Sequence, residues 1–319
     1  QLLEQAMKDG AFGLSTGLIY VPGTYAKTEE IIRLAKVSSN YGGVYATHMR
    51  DEADSVMVSI REALRIGKET KSRVQLSHLK VNGHNNWGRA EEALMLITNA
   101  RDEGIDVVID THPYTAGSTH LSTLFSNEFL KDGKDSILAR LSKPESRANI
   151  KRYLLADLKK KKLEHFSYAV VASFEPDQSL IGKSIVEINK LKGRESNAEN
   201  EAETILELME TGVYNNNNFG GEMIYYTIGE DDLQTILEYP HNICISDAGI
   251  RIQGGNDLLH PRAYGSNARV LGRYVRELKL IRIEEAIRRM TSLPAQHFQI
   301  KNKGLLIPGF DADIVIFDA

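Results

Sequence analysis

Cysteine is nearly absent from this sequence of 319 residues, which has only Cys244. A single thiol excludes an internal disulfide framework and a cysteine-rich zinc site. Charge of either sign is not in marked excess, because the formal net charge is −4. We therefore expect no nucleic-acid partner and no basic membrane-binding surface. Long hydrophobic runs are also missing, since none approaches the roughly 20 residues of a membrane-spanning helix.

The amino terminus carries no visible secretory signal, so a cytoplasmic location is the expectation. The chain opens with QLLEQAMKDG, without an initiator methionine and with a helical pattern already under way. This opening is typical of the middle of a protein. We therefore expect further sequence upstream, and that sequence leaves room for a signal peptide.

Apolar strand patterns alternate with amphipathic helical patterns through the first third of the chain. The strand patterns lie at 11–20, 44–48, 74–80 and 105–114, and helical patterns lie between them. This alternation indicates βαβ units and a parallel sheet. Acidic and histidine residues at the strand ends favour a (β/α)8 barrel of the TIM type, in which chemistry takes place where strands end and loops begin.

About six barrel strands can be counted, with a fifth at either 166–174 or 222–228 and a sixth at 242–247. A closed barrel needs eight, so either some strands are unrecognised or the first ones precede this chain. We predict a partial barrel over 1–300, with an insertion at about 115–165 lying over one face of the sheet. Residues 301–319 read as short strands about a Pro-Gly turn.

His48 and His78 are the leading candidate metal ligands. Each ends a predicted strand, and one strand–helix unit separates them, so neighbouring parallel strands would carry them. Neutral imidazole is among the commonest zinc ligands. An ordinary hydrogen-bonded histidine is the alternative for each. Asp247 also ends an apolar strand, where a buried carboxylate is costly without a partner such as a divalent metal. A turn or helix-capping aspartate is the alternative there.

Two cations lie close to these residues in the sequence. Lys80 follows His78 by two positions, on the same side of an extended chain, and Arg262 follows the Asp247 loop. Cations beside a metal suggest an anionic substrate group such as a carboxylate, and surface salt bridges are the alternative. Tyr20, His112 and Tyr114 also end strands and are predicted to line the pocket, unless they only pack there.

The chain resembles the N-acyl-D-amino-acid deacylases, or D-aminoacylases, of the amidohydrolase superfamily. The resemblance covers essentially the whole chain and is carried by nine stretches in the family's order, which are GAFGLSTGLIYVPG, THMRDE, QLSHLK, NGHNNWGR, DTHPYTAGST, ISD, HPRAYGSNARVLGRYVRE, EEAIRRMTSLPAQHF and KGLLIPGFDADIVIFD. The resemblance implies a metal-dependent (β/α)8 barrel with a small β-sandwich built from both chain ends. The tail from Gly304 resembles the return into that sandwich.

The resemblance also implies residue roles. His48 and His78 resemble zinc-ligating histidines, and Asp247 resembles the metal-site aspartate that takes a proton from water. Lys80 and Arg262 resemble the residues that bind the substrate carboxylate, and Tyr20 resembles an active-site tyrosine. One or two zinc ions are implied. The expected reaction is hydrolysis of N-acyl-D-amino acids, small molecules, to a carboxylate and a free D-amino acid.

Three features depart from the family pattern. The sequence has no HxH motif, which the family carries on its first barrel strand, and Cys244 does not match the family's metal-bridging cysteine. DTHPY replaces the frequent DxYPY and places His112 in the pocket. The alternatives are an amidohydrolase acting on a cyclic amide, as dihydroorotases and hydantoinases do, or an inactive truncated fragment.

Overall fold

A computed structural model of the protein describes residues 1–212, 220–250 and 257–318. Its strands are β1 (Gly13–Gly17), β2 (Val44–His48), β3 (Arg73–Leu76), β4 (Val107–Thr111), β5 (Gly117–His120), β6 (Ala169–Ser173), β7 (Glu222–Tyr225) and β8 (Asn242–Cys244). Five of them form a parallel sheet in the order β1-β2-β3-β4-β8. The predicted βαβ organisation is confirmed, and the carboxyl ends of these strands share one edge of the sheet.

The other three strands form a separate antiparallel sheet in the order β5-β7-β6. Assigning 166–174 or 222–228 to the barrel was therefore wrong, because β6 and β7 pair with each other while β4 pairs directly with β8. The described parallel sheet has five strands instead of about six. We call residues 117–225 the inserted unit, since its sheet continues to Tyr225 and does not end near 165.

Helices cover both sheets. The α-helices are α1 (Leu2–Lys8), α2 (Thr28–Ser39), α3 (Val56–Thr70), α4 (Ala90–Asp102), α5 (Gly133–Ser142), α6 (Pro144–Lys160), α7 (Ile185–Leu191), α8 (Ala198–Gly212), α9 (Glu230–Glu238), α10 (Arg262–Arg269), α11 (Ile283–Met290) and α12 (Ser292–His297). A π-helix, Val270–Glu277, continues α10. Within the described ranges, no helix is long and apolar enough to cross a membrane.

The apolar stripe of α3 explains why this segment is a helix packed on the sheet. Ile60, Ala63 and Ile66 recur at helical spacing and are almost completely buried. Gly67 lies where the helix comes closest to the sheet, because a Cβ there would meet a methyl carbon of Val74 at 2.3 Å. This close approach fixes the height of α3 above β3.

Helix α9 is tied to its neighbours at both ends. Asp232, in its first turn, accepts hydrogen bonds from the backbone N–H groups of Gly88 (2.8 Å) and Ala90 (2.9 Å), at the start of α4. Arg289 is 2% exposed and donates to the carbonyl oxygens of Leu237 and Glu238, at the end of α9. These charged side chains satisfy helix-terminal groups that would otherwise be buried without partners.

The inserted unit has an apolar core of its own. Its helices α5–α8 pack on the antiparallel sheet around buried side chains that include Ile137, Leu154, Phe166 and Ile205. A different cluster fills the space between the parallel sheet and α2–α4. Each of the two sheets therefore has its own apolar cluster among the described residues, and the inserted unit leaves the parallel sheet after β4 and returns before β8.

The carboxyl-terminal tail is largely exposed. Residues 304–318 contain no strand, so the short strands predicted there are not formed. Ile316 is 95% exposed and Val315 is 82% exposed. An apolar segment forms a strand only when a neighbouring chain pairs with its backbone, and the described residues supply no such neighbour. The assignment of 301–319 to a β-sandwich stays a prediction.

Candidate metal centre and substrate groups

His48 and His78 lie side by side at the carboxyl edge of the parallel sheet. His48 is the last residue of β2, and His78 follows β3 by two residues. Because β2 and β3 pair directly, their ends bring the two rings to a centroid separation of 4.4 Å. The predicted juxtaposition of these histidines is therefore confirmed, and their ligand roles stay a prediction.

Glu52 joins the two histidines. One nitrogen from each ring and one carboxylate oxygen of Glu52 all lie within 4.8 Å of one another. Glu52 Oε1 is 2.9 Å from His78 Nδ1, and Glu52 Oε2 is 3.6 Å from His48 Nε2. Glu52 was not among the predicted site residues, because MRDEAD reads as a solvated loop. The available signal was an acidic residue four positions after a strand-end histidine.

Burial and charge oppose each other at this cluster. Glu52 is 4% exposed, and burial alone would raise its pKa. Electrostatic interactions with His48, Lys80 and His78 outweigh that effect and hold the pKa of Glu52 well below its ordinary value. Burial lowers the pKa of His48 to about 4, so this imidazole is neutral at pH 7. Lys80 places a cation directly beside the Glu52 carboxylate.

The donor set fits a divalent metal. Two imidazole nitrogens and one carboxylate oxygen are a combination found in catalytic zinc sites, which keep a position open for water or substrate. His48 Nε2 is buried and has no hydrogen-bond partner. A buried nitrogen without a partner is costly, and a metal ion would occupy its lone pair. His48, Glu52 and His78 could therefore hold zinc.

Lys80 is part of this centre and does not form a surface salt bridge. Its Nζ lies 2.7 Å from Glu52 Oε2 and 3.0 Å from the backbone oxygen of His78. The side chain is 12% exposed. Lys80 thus places a buried positive charge next to the candidate metal ligands, where it faces any anion that enters the site.

Arg262 pairs with Asp247 on the neighbouring side of the sheet edge. Arg262 Nη1 donates to Asp247 Oδ2 at 2.6 Å, and Nη2 donates to the backbone oxygen of Ser118 at 3.1 Å. Asp247 follows β8 and has a φ of 51°. Its negative charge acts on His48, but the carboxylate does not belong to the cluster with Glu52. Metal ligation and proton transfer by Asp247 stay predictions.

Tyr20 lies against His48, with ring centroids 4.9 Å apart. Its hydroxyl pairs with the Thr119 hydroxyl at 3.0 Å, and burial raises the pKa of Tyr20. Thr119 and Ser118 both belong to β5, so the inserted unit contacts two of the predicted substrate residues. The Tyr20 ring therefore forms part of the wall beside His48.

His112 and Tyr114 form the next part of the wall. His112 is 3% exposed, and its Nδ1 has no hydrogen-bond partner. Together with His78 and Lys80, the two residues line a small cavity, which supports the predicted placement beside the metal ligands. The Arg269 guanidinium lies 4.9 Å from the centre of the Tyr114 ring. His112 and Tyr114 therefore shape the pocket, and their binding of substrate stays a prediction.

A wider cavity of about 570 Å³ lies at the opposite, amino-terminal ends of the strands. Its lining mixes Lys68, Lys71 and Arg73 with Glu103 and Asp106. Lys68 and Glu103 are already paired at 2.9 Å, and no histidine lines the cavity. In barrel folds the chemistry takes place at the carboxyl ends of the strands, so we place the site there despite the larger volume at the other end.

The sequence and the fold also match known proteins. The sequence model of the Amidohydrolase family matches residues 3–319. The chain is 33% identical over 317 residues to a D-aminoacylase from Alcaligenes xylosoxydans xylosoxydans, covering 99% of the chain and 54% of that relative. An N-acyl-D-glutamate deacylase from the same organism is 31% identical, with 100% of the chain and 54% of the relative covered.

A solved structure shares the fold. It is the N-acyl-D-glutamate deacylase from Bordetella bronchiseptica complexed with zinc and a phosphonate inhibitor, a mimic of the tetrahedral intermediate. Its TM-score is 0.73 at 30% identity, over 98% of this chain and 54% of the solved one. The chain spans about half the length of the curated relatives it matches. The predicted amidohydrolase fold and the resemblance to D-aminoacylases are confirmed, and closure of the parallel sheet into a barrel stays a prediction. The chain belongs to the amidohydrolase family.

Proposed function

We propose that this chain carries one part of the active site of a zinc-dependent deacylase, which hydrolyses the amide bond of N-acyl-D-amino acids. The observation that carries the proposal is the grouping of His48, Glu52 and His78 at the carboxyl edge of the sheet. The identity to deacylases along the whole chain supports the reaction type, and their names supply the D configuration.

His48, Glu52 and His78 would hold the zinc ion. Bound zinc polarises the amide carbonyl and lowers the pKa of water towards about 7. The neutral state of His48 at pH 7 leaves its Nε2 lone pair available for the metal. Tyr20, whose ring lies 4.9 Å from that of His48, would donate a hydrogen bond to the reacting carbonyl oxygen.

Proton transfer is assigned to Asp247. Its carboxylate would take a proton from the attacking water and return it to the leaving nitrogen, as general acid–base catalysis requires. The 2.6 Å contact with Arg262 fixes the direction of this carboxylate. Because Arg262 also bonds Ser118, its guanidinium is held by two separate elements before substrate arrives.

Lys80 and Arg262 would bind the substrate carboxylate. Both side chains are only 10–12% exposed, and charge pairing is stronger away from water. Each is already paired with a carboxylate, Lys80 with Glu52 and Arg262 with Asp247. The substrate carboxylate would therefore bind each cation alongside the carboxylate that is already there. Binding energy at the carboxylate would orient the amide for attack.

Replacing Asp247 tests the reaction. In the zinc-supplied chain, we expect Asp247→Asn to lower kcat on N-acetyl-D-amino acids by at least about 100-fold, since general acid–base catalysis contributes 10²–10⁴. Asp102→Asn makes the same carboxylate-to-amide change at an exposed position at the end of α4, and this control should retain activity. Circular dichroism checks the fold of both variants.

The substrates decide between the alternatives. Hydrolysis of N-acetyl-D-amino acids in preference to the L isomers and to dihydroorotate supports the proposal. Preference for dihydroorotate would select the cyclic-amide alternative. An unchanged kcat in Asp247→Asn would show that Asp247 is not the base. A wild-type chain that binds zinc but hydrolyses none of the three substrates would favour the inactive-fragment alternative.

A further inference from the structure

We infer that Asp110 and Thr111, adjacent residues of the neighbouring strand β4, are positioning residues, which together set the direction of His78 and Lys80. The inference rests on the proposed function for the roles of His78 and Lys80. Asp110 contacts neither of their side chains in any recorded hydrogen bond. Its effect would pass through the backbone of the segment that follows β3.

That segment adopts an unusual conformation at His78, whose φ is 39°. Positive φ is disfavoured for residues other than glycine, and such conformations persist only where the surroundings enforce them. Here a sheet strand has just ended at Leu76, and the chain turns. The turn points the His78 ring towards Glu52, with 2.9 Å between Nδ1 and Oε1.

Asp110 supplies the enforcement. Its Oδ1 accepts a hydrogen bond from the backbone N–H of His78, and its Oδ2 accepts one from Gln75 Nε2. The residue is 6% exposed, so water does not offer a substitute partner. A buried carboxylate with both oxygens engaged is rigid, and it holds the turn at the residue where the backbone is strained.

Backbone contacts extend the same hold to Lys80. The backbone N–H of Leu79 donates to the carbonyl oxygen of Asp110 at 2.8 Å. The Thr111 hydroxyl donates to the carbonyl oxygen of Leu79 at 2.9 Å. Asp110 and Thr111 therefore hold the backbone on both sides of Leu79. The residues there are His78, a candidate metal ligand, and Lys80, a candidate cation for substrate.

The test is zinc affinity, measured by competition with a chromophoric chelator on the whole chain without substrate. We expect Asp110→Ala to weaken zinc binding by about 10- to 100-fold, the usual cost of losing a group that orients a metal ligand. Asp110→Asn should recover most of the affinity. The side-chain oxygen of the new asparagine can accept the hydrogen bond from the His78 backbone N–H. If the Gln75 side-chain amide flips, its oxygen, which is now buried without a partner, can accept a hydrogen bond from the new NH₂ group.

Thr111→Val provides a second variant of nearly the same shape. It removes only the hydroxyl that binds the Leu79 carbonyl, and we expect a loss of zinc affinity of a few fold with the fold retained. Asp102→Asn, which is exposed on α4, should bind zinc as the wild type does. The absorption bands of bound Co²⁺ provide an independent record, since a displaced imidazole changes the ligand field.

The outcomes separate this inference from the proposed function. If Asp110→Ala is folded and binds zinc like the wild type, Asp110 is only a core group and the inference fails. If Asp110→Ala does not fold, wild-type affinity and an unchanged Co²⁺ spectrum in Thr111→Val overturn it. If the wild type binds no zinc, the inference falls with the metal site. A zinc effect without amide hydrolysis would leave the inference standing and remove the proposed function.

Discussion

At the scale of single residues, Glu52 decides how charge is balanced in the site. Its carboxylate faces Lys80 at 2.7 Å and the two candidate histidine ligands. A buried lysine requires a compensating anion, and the same anion adds a negative charge to the metal site. Glu52 thus serves two neighbours that compete for its oxygens, so a bound metal would weaken its hold on Lys80.

Replacing Glu52 by glutamine keeps the shape and removes the charge. We expect Glu52→Gln to weaken zinc binding by on the order of 10- to 100-fold, the range seen when groups around a metal are lost. Isothermal titration with zinc provides the measurement. Glu62→Gln is a matched control, because it breaks a partly buried pair with Arg50, 2.9 Å apart, outside the metal cluster. Equal affinity in both variants would contradict a role for Glu52 at the metal.

At the scale of elements, α9 and α4 depend on one carboxylate. Asp232→Ala leaves two backbone N–H groups at the start of α4 without their acceptor. Loss of a capping aspartate lowers the free energy of unfolding by about 0.5–2 kcal/mol. Because Asp232 is buried, we expect a loss at the upper end of this range. We expect the free energy of unfolding to fall by about 2 kcal/mol in urea titrations. Asp231→Ala, on the exposed side of the same turn, should change it by less than about 0.5 kcal/mol.

Sequence patterns predicted the parallel strands well and the sheet membership of the others poorly. Val44–His48 matches the prediction because an apolar run ended by a charged loop has few other interpretations. The patterns at 166–174 and 222–228 are equally apolar, yet they pair in the antiparallel sheet. The pattern of apolar side chains predicts which residues of a strand are buried, but it does not specify the neighbouring strand. Strand pairing could therefore not be predicted from the pattern.

The candidate site was predictable where a residue type is rare at a strand end. His48 and His78 stood out for that reason. Glu52 and Asp110 did not, because acidic residues are common in loops and their importance lies in contacts made across strands. Asp110 in particular belongs to an apolar strand, and its partner is the backbone of a residue 32 positions earlier. Such pairings follow from tertiary structure alone.

At the scale of the whole molecule, three buried histidines make stability depend on pH. Burial lowers the pKa of His48, His260 and His297 to about 4 in each case. An unfolded chain would protonate them near pH 6.5. Between about pH 6.5 and 4 the unfolded state binds more protons, so stability falls as the pH falls through this window.

His297 allows a direct test of this dependence. It is 5% exposed and lies on α12, away from the candidate metal. A lowering from 6.5 to about 4 corresponds to about 3 kcal/mol of stability lost by pH 4. Between about pH 6.5 and 4, we expect the free energy of unfolding of His297→Asn to fall less than that of the wild type. Urea titrations at several pH values provide the measurement. Parallel pH curves for the two proteins would contradict it.

The contacts of β5 have a consequence for how this protein can diversify. Tyr20 bonds Thr119, and Arg262 bonds Ser118, so two of the proposed substrate residues take their position from the inserted unit. The candidate metal ligands His48, Glu52 and His78 take theirs from strands β2 and β3 and the segments that follow them. Mutations that accumulate in the inserted unit can therefore change the surroundings of Tyr20 and Arg262, while the geometry of the candidate metal ligands stays unchanged.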